Sequence, residues 1–240
     1  MITILGVGHV FDISKQVRHI ILQSDSKAVC IELDPVRYHA LRNPDKEKAK
    51  TGLTYDMMAS FQSKIAEDYG GEAGDEMIAA VDTAAEMGIA FCLIDVDARS
   101  LFDRILKEMT FSEKAKLFFS SFAALFVRKK TIEEELSSYE DNTEIYMDMM
   151  GKQFPTMKRI LVDERNDIMS KNIIKAAEMY GDVAVVIGDG HVDGILKILG
   201  DRETKVFRLK DIRNMECPES EVQLEKDNLT FNYSFEQKIE

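Results

Sequence analysis

Four short, continuous apolar runs, at 2–5, 28–33, 90–94 and 183–187, constrain this chain more than any other feature. They are too short and too β-branched for helices, and they do not alternate with polar residues as a strand with one wet face does. Continuous runs of this kind suit strands buried on both faces of a parallel sheet. Helical patterns over 14–23, 53–69 and 75–87 lie between them. The alternation predicts an α/β fold, a mostly parallel central sheet with flanking helices. A further strand is expected over 205–209 and an edge strand over 229–235. The whole chain, 1–240, is expected to form one α/β domain, a size at which a full core is available.

From about 98 to 180 the pattern changes. Strand signals vanish, and Met, Phe and Leu recur at helical spacing. Leu101, Ile105 and Leu106 make one stripe, and Leu117, Phe118, Phe122, Leu125 and Phe126 another. This section reads as a helical insertion between the third and fourth strands. Its first role is to bury core; a cover over one end of the sheet is the alternative.

The sharpest local feature is a repeat. Leu5-Gly6-Val7-Gly8-His9-Val10 is matched by Ile187-Gly188-Asp189-Gly190-His191-Val192, each after an apolar run and before a helical pattern. Glycines let a chain turn sharply at a strand end and leave room above the backbone. The following imidazole then stands at the carboxyl edge of the sheet, where open α/β sheets take their ligands. There it can bind a metal or move a proton near neutral pH. Glu32 and Asp95 end the second and third runs in the same way, so His9, Glu32, Asp95 and His191 are expected at one edge. A buried carboxylate must be paired, hydrogen-bonded or metal-bound, and Arg37 is one candidate partner of Glu32. Glu164 falls at helical spacing from Met157 and Ile160 and is expected on their buried stripe, with Arg37 or Arg104 as a structural partner. His19 and His39 read as surface or packing residues. No dinucleotide fingerprint or P-loop pattern is present.

Charge and cysteines exclude some classes. A net charge of −12 disfavours nucleic acid and anionic membranes, which need a cationic face. The three cysteines, Cys30, Cys92 and Cys217, form no disulfide framework or paired metal motif, so a reducing, cytoplasmic setting is expected. No signal peptide is visible, and the longest oily run, 117–127, falls short of the roughly 20 residues that span a bilayer. A twofold homodimer is the expected assembly, by analogy with most soluble oligomers.

Taken together, Gly6-x-Gly8-His9, Ile31-Glu32-Leu33-Asp34-x-x-Arg37-Tyr38, Gly74-Asp75-Glu76-Met77, Asp163-Glu164-Arg165-Asn166-x-x-Met169 and Gly188-x-Gly190-His191 resemble the TraB/PrgY family over about residues 2–200. That family is related to the Tiki proteins, described as metal-dependent proteases, and more remotely to erythromycin-esterase-like and ChaN-like folds. The resemblance implies a hydrolase of peptides or small amides or esters. It further implies a divalent transition metal (zinc, manganese, iron or cobalt) held by His9, His191 and Glu32. Glu164 would then be the general base, Arg165 or Arg37 would steady the oxyanion, and Gly8, Gly190 and Asp95 would touch substrate. The alternative in the same crevice is a non-catalytic protein that sequesters a peptide or small signal. The chain departs from the pattern at Asn166, where the family has Asp, and at Val96, where an arginine often stands. The membrane helices that end many members are not seen here.

Overall fold

The computed structural model describes residues 1–8, 11–43, 74–124 and 143–217. Five strands form an open parallel sheet: β1 (Ile2–Val7), β2 (Ala28–Ile31), β3 (Ala90–Leu93), β4 (Val183–Gly188) and β5 (Thr204–Phe207). Their order is β3-β2-β4-β1-β5. The expected helix at 53–69 and edge strand at 229–235 lie outside the described residues.

The apolar runs become strands because both of their faces are covered. Leu5, Val7, Val29, Ile31, Ala184 and Val186 pack against α1 (Ser14–Gln23) and α3 (Asp75–Glu86), with Tyr38 of α2 (Pro35–Arg42) and Ile212 of α10 (Leu209–Arg213) in the same cluster. Ile2, Ile4, Cys30, Val183, Val185 and Ile187 face the other way, onto α8 (Glu164–Tyr180) and α9 (Asp189–Leu199). Ile173 of α8 is fully buried there, and its truncation to alanine costs about 2–5 kcal/mol. The central strands β1, β2 and β4 are buried, whereas the edge strands β3 and β5 are only partly so. Cys30 and Cys92 are register partners across β2 and β3 and are reduced. Their hydrogen bond and burial push the Cys30 thiol above its ordinary value.

The expected strand at 205–209 stops at Phe207. The Arg208 amide donates to Asp211 Oδ2 at 3.1 Å, which starts α10 and draws Leu209 into a helix.

Between β3 and β4 lie α4 (Ala98–Glu108), α5 (Phe111–Ala124), α6 (Thr143–Gln153), α7 (Pro155–Lys158) and a π-helical turn (Arg159–Asp163) leading into α8. Leu101, Ile105, Met109 and Ile160 form a satellite core, with Leu117 packed against it. Leu106, expected on that stripe, is exposed. The side chains of Phe118 and Phe122, and all of Leu125 and Phe126, lie outside the description. A capping box starts α5: the Thr110 amide donates to Glu113 Oε2 at 2.9 Å, and the Glu113 amide to Thr110 Oγ1 at 3.2 Å. The same carboxylate accepts from the amide of Thr156 at 2.8 Å and its hydroxyl at 3.0 Å, tying α5 to α7. Burial works against the Glu113 charge, but the four bonds its carboxylate accepts, from the amide and hydroxyl of Thr110 and of Thr156, outweigh it and hold the carboxyl at about 2.

The topology selects one junction. From β1 the chain crosses through α1 to β2 on one side; from β4 it crosses through α9 to β5 on the other side. α1 and α9 pack on opposite faces. The carboxyl ends of β1 and β4, which are neighbours, therefore flank a switch point, the place where such sheets open a ligand crevice.

Candidate functional site

A crevice of about 280 Å³ opens at that junction. It is lined by Val7 and Gly8 from the end of β1, Gly188, Asp189, Gly190 and His191 from the end of β4, Glu32 after β2, and Arg165 of α8. Met147 of α6, Val162 of the π turn and Leu209 of α10 complete it. The insertion thus reaches over the sheet edge through Met147 and Val162.

Arg165 organises the site. Its side chain is 12% exposed, and each of its five N–H donors has an acceptor. Nε donates to Asp95 Oδ1 at 3.0 Å and Nη2 to Asp95 Oδ2 at 2.7 Å, a two-point fork. Nη2 also donates to Glu32 Oε1. Nη1 donates to the Leu161 carbonyl at 3.1 Å and meets His191 Nε2 at 3.1 Å. Burial opposes the charge of the guanidinium, but the pull of Glu32 and the bonds to Asp95 prevail and raise it above an arginine's ordinary value. Glu32 is held from its other side as well, since Oε2 accepts the Gly188 amide at 2.6 Å.

These contacts assign the His191 tautomer. An arginine only donates, so Nε2 must present its lone pair and the neutral ring carries its proton on Nδ1. Nδ1 stands 2.7 Å from Asn166 Oδ1, which accepts that proton. Asn166 reaches this position because Gly194 has no side chain: a Cβ there would lie 2.1 Å from Asn166 Nδ2. An asparagine here supplies the acceptor without adding a charge.

The π turn explains how Arg165 reaches the crevice. The Glu164 amide bonds to the Arg159 carbonyl five residues back, so one extra residue enters the helix. Ile160 is then followed on the buried face by Arg165, Met169 and Ile173 rather than by Glu164 and Ile168. This corrects the expected stripe. Ile168 is exposed, and Glu164 is 32% exposed, paired with Arg159 and, at 2.9 Å, with Arg104. Glu164 is not among the crevice residues, although the expected Arg104 pairing is present.

Of the other expected site residues, Glu32, Asp95, Arg165 and His191 meet in one network. Asp95 is turned inward onto Arg165, its side chain 1% exposed, and does not line the crevice. Arg37 stands at its edge, Nη1 3.9 Å from Asp95 Oδ2. Gly8 and Gly190 line the crevice. His9 lies outside the described residues.

Sequence reasoning missed Asp189. Its carboxylate accepts from Arg208 Nε at 2.9 Å and Nη2 at 2.8 Å, and from the Leu209 amide at 3.0 Å. This clasp fixes the start of α9 and so the backbone that carries His191. An acid between two glycines, at the variable position of the repeat, was the available signal. Gly6 makes room for it: a Cβ there would lie 2.3 Å from Asp189 Oδ1.

A divalent metal needs imidazole and carboxylate lone pairs aimed at one open point. Glu32, Asp95 and His191 do aim at one point, but the Arg165 guanidinium fills it. Among the described residues no group of three or more His, Cys, Asp or Glu is arranged to hold a metal ion. In this arrangement Glu32, Asp95 and His191 do not hold one, and His9, the third expected ligand, lies outside the described residues.

Among the described residues no helix is long and apolar enough to cross a membrane. An uncharacterized protein of Methanocaldococcus jannaschii is 29% identical over 210 residues, a match covering 82% of this chain and 53% of that protein, so the chain spans about half the length of this curated relative. Residues 1–208, which include every described strand and every crevice residue except Leu209, match the TraB/PrgY/gumN family, and the chain belongs to it.

Proposed function

We propose that the chain is a hydrolase that cleaves a peptide or another small amide or ester in the crevice between the ends of β1 and β4. The carrying observation is the anchored pair at its wall, Glu32 and His191, whose Oε1 and Nε2 lie 3.5 Å apart. A buried ionic network of this kind is poor value for stability, because desolvation offsets its attraction; a role in chemistry accounts for it better. With Glu164 turned away, Glu32 is the crevice carboxylate that takes a proton from the attacking water. Glu32 then returns that proton to the leaving group, while His191, held by Asn166 and Arg165, fixes the wall beside it. Arg165 holds both groups in place. Gly8 and Gly190 keep the backbone open to substrate, and Met147, Val162 and Leu209 offer an apolar wall. About 280 Å³ is near the lower end for a ligand pocket, which favours a single side chain or a small amide over a long peptide.

The reaching of Met147 over the crevice favours a second reading, capture without turnover, since methionine surfaces adapt to varied ligands. One experiment separates the two. A mixed pool of short peptides, amides and esters is incubated with the full chain and followed by mass spectrometry, beside Glu32→Gln and His191→Ala proteins of unchanged circular dichroism. Turnover lost in both variants supports hydrolysis. Turnover retained in both removes this site as its source, and saturable binding with no products supports capture.

A further inference from the structure

We infer that Arg165 is the resident cation of this site, and that a divalent metal binds Glu32 and His191 only by displacing it. Two ligands about 2.1 Å from a tetrahedral zinc lie roughly 3.4 Å apart. Glu32 Oε1 and His191 Nε2 are 3.5 Å apart, the bite such an ion requires. Each of these atoms is already bonded to the same guanidinium, through Nη2 and Nη1. The fork to Asp95 and the Leu161 carbonyl lock that guanidinium from behind. The donors therefore form a latent chelate with its mouth stopped by a side chain of the same fold.

The charges point the same way. Glu32 and Asp95 bring two negative charges, and Arg165 with Arg37 brings two positive ones. An ion of charge +2 added with Arg165 in place would sit against a buried guanidinium. With Arg165 withdrawn, the same ion meets the Glu32 carboxylate and a neutral imidazole. Asp95 is thus a positioning residue that sets how firmly the stopper is held.

Zinc binding by the full chain tests this without any assay of turnover, so its outcome is separate from that of the proposed hydrolysis. Calorimetric titration with zinc alone is run on wild type, Arg165→Gln, Asp95→Asn, and each of these with His191→Ala added. Asp95→Asn loosens the guanidinium while leaving it paired with Glu32, and it carries the test even where Arg165→Gln does not fold. Apparent affinity scales with the fraction of molecules whose site is open, so the expected result is a gain of about tenfold or more in both variants, abolished by His191→Ala. Wild type that binds zinc as tightly as the variants, through His191, would overturn the inference. So would variants that fold but gain no His191-dependent binding.

Discussion

The two Gly-x-Gly-His motifs are nearly the same in sequence, yet their described residues are placed differently. After β4 the chain enters α9 at once, so Asp189 and His191 fall in its first turn. Each polar group there is tied to a distant element: Gly188 to Glu32, Asp189 to Arg208, and His191 to Asn166 and Arg165. After β1 the strand runs on to Val7, and α1 begins only at Ser14. The glycines of this first turn act by what they leave out. Gly6 leaves space for Asp189 and Val192, and Gly8 leaves space for Leu209 and Phe11. Within the described residues the second turn holds the polar groups of the crevice and the first shapes the cavity around them. Register contributes to the difference. Val7 rather than Gly6 lies beside Gly188, so the first motif begins one residue deeper in the sheet.

The largest way to break this contrast is Arg165→Met. It strands two buried carboxylates, and a loss of about 3–5 kcal/mol is expected from urea denaturation. An unchanged midpoint would mean that the β4 end is not anchored as described. Gly6→Ala comes next, at about 1–3 kcal/mol for overpacking against Asp189. In a double-mutant cycle with Asp189→Ala this cost should shrink, because the clashing carboxylate is gone; strictly additive losses would uncouple the two turns.

A third effect lies away from both turns and sharpens the contrast as a control. The Glu113 carboxyl is held at about 2, below an unfolded glutamate's value of roughly 4.3. Its contribution is complete above the unfolded value and is lost as pH falls from about 4 toward about 2. Urea midpoints measured against pH should decline less steeply over that range in Glu113→Gln, and parallel curves would remove Glu113 as a cause. The smallest change is expected for Glu164→Gln, since half-exposed ion pairs contribute within about 1 kcal/mol. Hydrolysis, once detected, should survive it; lost turnover in a stable Glu164→Gln protein would return Glu164 to the role of base.

The strands were legible because burial on both faces leaves an unbroken apolar run, and because Glu32 and Asp95 end such runs abruptly. Their convergence with His191 followed from their common place at the carboxyl edge. Strand order was not legible, since it rests on pairings between residues far apart in the chain, such as Ile4 with Val185. Glu164 was misplaced for a different reason. Counting at α-helical spacing from Ile160 cannot register the one residue added by the π turn, and that residue moves Arg165 onto the buried face. Asn166 and Arg208 were missed as partners because their meaning depends on side chains 25 and 19 residues away.

The account turns on His191 as a neutral ring held between Asn166 and Arg165, and the most direct test is nitrogen-resolved NMR of its imidazole, assigned by difference from a His191→Gln protein. A proton on Nδ1, with Nε2 unprotonated and shifted by an accepted hydrogen bond that disappears in Arg165→Gln, is the predicted result. A proton on Nε2 would contradict the account, since Nε2 could not then accept from Arg165 and the guanidinium could not be the group around which the site is built.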